Sequence, residues 1–76
     1  MVQEIRHSVR PIKDIEKDYP NEWVEIEIIR MSEDGLTPLE GRLITHDKDY
    51  AKVTKIALEY KKKYGVKGLY SNYTCE

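Results

Sequence analysis

One cysteine, three prolines, four glycines and no phenylalanine mark what this chain of 76 residues does without. The lone Cys75 makes no internal disulfide, and no set of four cysteines, or of two cysteines with two histidines, is present to hold a structural zinc. A reducing, cytosolic setting is the resulting expectation. No stretch approaches 18 consecutive apolar residues, which excludes a helical membrane span. The first residues, MVQEIRHSVR, lack the apolar segment of a secretory signal. A Walker loop, Gly-x-Gly-x-x-Gly, Gly-x-Ser-x-Gly and His-Glu-x-x-His are all missing. There is no internal repeat and no low-complexity tract. These absences point to a cytoplasmic, non-enzymatic protein without a cofactor.

A chain of this length forms one domain, 1–76, and buries only about 60% of the surface it exposes when unfolded. Small scaffolds compensate with disulfides, metals or a partner subunit. With the first two unavailable, a protein partner or a homodimer is expected. Net charge is −1, but residues 1–40 hold five Lys/Arg against ten Asp/Glu, and residues 41–76 hold eight against four. Such asymmetry suits a charged partner or, more plainly, a solvated surface whose signs cancel in space.

Residues 1–10 read either as a flexible arm or as an extra edge strand, since Ile5, His7 and Val9 alternate. Pro11 suits a first helical turn, and Ile12, Ile15 and Tyr19 share one side, which predicts a short helix over 12–18 that Pro20 ends. In WVEIEIIRM, Val24, Ile26 and Ile28 alternate with Glu25 and Glu27, the pattern of a half-buried strand, and Ile29 breaks the period where a bulge is expected. SEDGLTP is a turn. LEGRLITH is a second strand, with Leu43 and Thr45 on one face, Arg42 across from Glu25 or Glu27 in solvent, and Gly41 allowing a close approach.

The clearest element spans 48–64. Asp47 suits its N-cap, Tyr50, Val53, Ile56, Ala57, Tyr60 and Tyr64 fall within about 120° of a wheel, and Gly65 ends it. A closing strand follows near Leu69–Tyr73. The order α-β-β-α-β predicts an α+β fold of two layers. One long helix packs a three-stranded, mainly antiparallel sheet in order 2-1-3, with a short N-terminal helix in addition.

DYPNEWVEI and GRLITHDKDYAKV resemble segments of a group of small uncharacterised bacterial proteins. There a Tyr-Pro-x-x-Trp-Val segment opens a hairpin, and a Gly-containing second strand leads into a helix. The match covers about residues 18–62. The resemblance implies a β-β-α core and a cytoplasmic, accessory or antitoxin-like role. It carries over no catalytic residue.

Three sets of residues compete for a function. Tyr19 and Trp23, with Glu25 and Glu27 and with Ala51 and Leu58 at the edge of the long helix, form the candidate partner-binding surface, because Tyr and Trp are over-represented in binding hot spots. Trp23 lies opposite Val24 and Ile26, so either the N-terminal helix or another chain must cover it. A free sheet edge suits strand addition. Lys52, Lys55, Lys62, Lys63 and Lys67 with Tyr70 form an alternative nucleic-acid face, against which stands a pI near 6.1. His46, Asp47 and Asp49 are an alternative metal-hydrolase cluster, more plainly read as a helix cap and a strand residue. His7 and Cys75 sit near opposite ends, too loosely held for a nucleophile pair.

Overall fold

Six elements follow one another in the computed structural model, which describes residues 7–75: β1 (Val9–Pro11), α1 (Ile12–Asp18), β2 (Trp23–Met31), β3 (Pro38–Asp47), α2 (Tyr50–Tyr64) and β4 (Leu69–Tyr73). The strands form one antiparallel sheet in the order β1-β3-β2-β4, with a helix on each face. The expected three-stranded sheet packed by one long helix is therefore replaced by a four-stranded sheet between two helices. The α+β class stands, and β4 pairs antiparallel with β2 as expected. Val9–Pro11 realises the edge-strand reading of the N-terminal segment. Ile5 lies outside the described residues. Three residues ending in proline are too few for any periodicity, which is why the fourth strand has almost no signature in sequence.

The helices also take faces opposite to those the alternation suggests. Residues directly paired across strands point to the same side. Val24, Ile26, Leu43, Tyr70 and Asn72 thus share one side, and there the stripe of α1 packs: Ile12 and Ile15 join Val24, Ile26 and Leu43 in the buried core. Trp23, Glu25, Glu27, Thr45 and Ser71 occupy the other side, beneath α2, where Val53 and Ala57 are buried. The face carrying the acidic residues is covered because α2 brings polar partners to it. Tyr60 Oη donates to Glu27 Oε1 at 2.9 Å, and Arg42 Nη1 lies 3.8 Å from the same oxygen. The Arg42–Glu27 pair forms in the expected register, but under the helix rather than in solvent.

Irregularities in the ladder set these faces. Pairing jumps from Glu25–Thr45 to Ile26–Leu43, leaving Ile44 as an extra residue. Leu43 and Thr45 consequently point to opposite sides, not to one. A second jump leaves Ile29 unpaired between Ile28–Gly41 and Arg30–Glu40, the bulge expected at that residue. At the turn, Gly35 takes φ 72°, and the Asp34 side chain accepts from Leu36 N. Helix α2 starts at Tyr50, two residues later than the expected cap at Asp47 implies. Asp47 Oδ1 accepts from Asp49 N in an Asx turn, and Asp49 is the N-cap, accepting from Ala51 N at 3.0 Å. Gly65 ends it in the left-handed conformation, with its N–H on Lys61 O.

Candidate functional site

The sheet divides the tyrosine-tryptophan corner. Tyr19 lies on the α1 side, its ring stacked on His46 with centroids 3.8 Å apart. Trp23 lies on the α2 side between Tyr50 and Tyr73, at 4.6 and 5.5 Å. The N-terminal helix packs on the other face and does not supply cover within the chain. The aromatic residues at the start of α2 and the end of β4 do, which sequence spacing hides because they lie 27 and 50 positions away. Tyr50 and Tyr73 remain 51% and 42% exposed, so the cluster is half open to solvent. Ala51 and Leu58 are exposed on α2. Glu27 is half-buried, and Glu25 is only 3% exposed, so Glu25 offers no surface to a partner.

Glu25 is the buried ionisable group of this face. Its Oε1 accepts from Ser71 Oγ. Burial pushes its carboxyl above the ordinary carboxylate range, and the Ser71 hydrogen bond opposes that rise only in part. A carboxyl with a raised folded-state pKa holds its proton more tightly when folded. The stability this provides is complete below the unfolded-state pKa, and it falls as pH rises through the window between the two values. Glu25→Gln keeps an acceptor for Ser71 and removes the charge. It is expected to raise stability at neutral pH and to flatten the decline between acid and neutral pH. Urea unfolding across that range measures both, and an unaltered slope would mean that folding leaves the proton affinity of Glu25 unchanged.

The structure does not assemble the alternative sites. Lys52, Lys55, Lys62, Lys63 and Lys67 are exposed, but Tyr70 sits across the sheet from α2. Its hydroxyl donates to Glu16 Oε2 at 3.2 Å, and burial followed by the Glu16 charge raises its pKa. A base stacked on Tyr70 would therefore lie on the wrong side of the sheet for the lysines. His46 Nδ1 is 2.8 Å from Glu22 Oε1, while Asp47 and Asp49 are engaged in turn and cap. Among the described residues no group of three or more His, Cys, Asp or Glu is arranged to hold a metal. Among them, too, no helix is long and apolar enough to cross a membrane.

The feature that sequence reasoning placed only loosely is the sheet edge. Thr74 N donates to Glu22 O at 2.8 Å and Gly68 O accepts from Ile28 N at 3.0 Å, both on the β2 side. Backbone direction alternates along a strand, so Tyr70 and Asn72 also bond towards β2. The N–H and C=O groups of Leu69, Ser71 and Tyr73 then point outward along an edge that pairs with no other strand among the described residues. LYSNY contains no charge and no proline, the two common means of blunting an edge. The opposite edge, β1, has both: Pro11 lacks a donor, and Arg10 is tied to Asp18 at 2.8 Å. An uncharged, proline-free closing strand was the available sequence signal.

Compared with known proteins, the chain matches no family model, and neither a curated sequence nor a solved structure is significantly similar to it.

Proposed function

We propose that this chain is a small cytoplasmic, non-enzymatic protein-interaction module that takes an extended strand of a protein along the open edge of β4. One observation carries the reading: five consecutive uncharged residues at a sheet edge, three with outward backbone groups, in a fold whose other edge is blunted. Tyr73 on that edge, backed by the partly buried Trp23 and the half-exposed Tyr50, supplies apolar area beside the backbone hydrogen bonds. The resemblance of residues 18–62 to small bacterial proteins adds a regulatory, antitoxin-like setting.

The test is the native mass of the complex recovered from the source cell, joined to amide hydrogen exchange. The expected result is a species heavier than the 9.0 kDa chain, in which the amides of Leu69, Ser71 and Tyr73 exchange slowly. Recovery of the free 9.0 kDa chain alone would refute the interaction reading. A complex in which those three amides exchange freely would refute strand addition.

A further inference from the structure

We infer that the occupant of the β4 edge is a second copy of this chain, paired antiparallel about a two-fold axis at Ser71. The inference rests on the strand-addition reading and names its partner. In an antiparallel self-pair centred on Ser71, Ser71 faces Ser71 of the second copy, Leu69 faces its Tyr73, and Tyr70 faces its Asn72. The outward residues 69, 71 and 73 are those that form hydrogen-bonded pairs in this register, about six backbone bonds in all. No charged residue of β4 meets a like charge, because LYSNY has none. On the α2 side, Leu69 extends the Trp23–Tyr73 cluster of the second copy; on the α1 side, two pairs of Tyr70 and Asn72 meet.

Closure favours a second copy over a longer array. The two-fold arrangement makes one eight-stranded sheet whose outer strands are both β1. Those ends carry Pro11 and the Arg10–Asp18 ion pair, so growth stops at two chains. A five-residue strand pair with its flanking rings is smaller than the standard interface of about 1,600 Å², so dissociation in the micromolar range is expected.

Sedimentation of the whole chain from micromolar to millimolar concentration tests this, with residue-resolved amide exchange on the same samples. A dimer of twice the 9.0 kDa chain mass is expected, with Leu69, Ser71 and Tyr73 amides gaining protection as concentration rises. Leu69→Lys and Tyr73→Glu, made singly, each set a charge against an apolar residue and are expected to weaken the dimer by about tenfold. Combined, they set opposite charges face to face twice and are expected to recover most of the loss. A chain that stays monomeric at about 1 mM overturns the inference, as does a dimer indifferent to both single changes. If that monomer binds a different protein with the same three amides protected, strand addition survives and only the second copy is excluded. If its complexes leave those amides unprotected, both readings fall.

Discussion

Gly41→Ala is expected to lower folding stability by about 3 kcal/mol, the upper end for an overpacked site, which for a domain of this size moves the melting temperature by more than about 10 °C. Gly41 is the point where β3 meets two strands at once, paired with Arg10 of β1 and Ile28 of β2. A Cβ built there would lie 2.6 Å from the carbonyl oxygen of Glu27 and nearer still to Cγ2 of Ile26. A side chain can rotate away, but the Glu27 carbonyl belongs to the central strand and retreats only if the ladder opens. Ile26→Ala would remove the Cγ2 contact and leave the carbonyl clash. The double variant Gly41→Ala/Ile26→Ala is accordingly expected to be less stable than either single change, with no rescue. Thermal unfolding followed by circular dichroism settles it, and a Gly41→Ala protein melting within about 2 °C of the parent would contradict the close approach.

Ile15→Ala is the second large effect, about 3 kcal/mol within the range of 2–5 for deletion of a buried aliphatic chain. Ile15 is 1% exposed and sits on Val24 and Ile26, both fully buried. Helix α1 has only seven residues, too short to be stable by itself, so this contact holds it on the sheet. Leu58→Ala on the longer α2 is expected to change monomer stability by less than about 0.5 kcal/mol, since Leu58 is 52% exposed. Chemical unfolding of Ile15→Ala, with Leu58→Ala as the exposed control, distinguishes this fold from one in which α2 covers Val24 and Ile26. In that alternative, Ile15 would be the minor position.

The long elements are legible because each repeats its signal many times. Helix 50–64 has its inward Val53 and Ala57, its lysine face and its terminal Gly65; α1 runs over 12–18 as its isoleucine spacing requires. Strand β2 follows its alternation up to the bulge at Ile29. The side each helix covers is not legible, because Glu25 and Glu27 are polar by composition and buried by circumstance. Ser71, 46 positions downstream, and Tyr60, 33 positions downstream, satisfy them, and no local pattern reports partners that distant. The same holds for Trp23, whose cover comes from Tyr50 and Tyr73. The candidate surface changes accordingly. Tyr19 and Trp23 are neighbours in sequence but separated by the sheet, and Leu69, Ser71 and Tyr73 form the open edge.

By itself the amino-acid order determined the α+β class, the two helices, the central hairpin and the bulge at Ile29, because these depend on periodicity, capping and turn chemistry within a few residues. Tertiary structure alone decided that β1 joins the sheet, that α1 takes the apolar face, and that β4 is left with an open side. The reason is physical. Faces are assigned by which distant groups satisfy a buried carboxylate, and edges by which strand finds no neighbour; both are properties of the assembled chain.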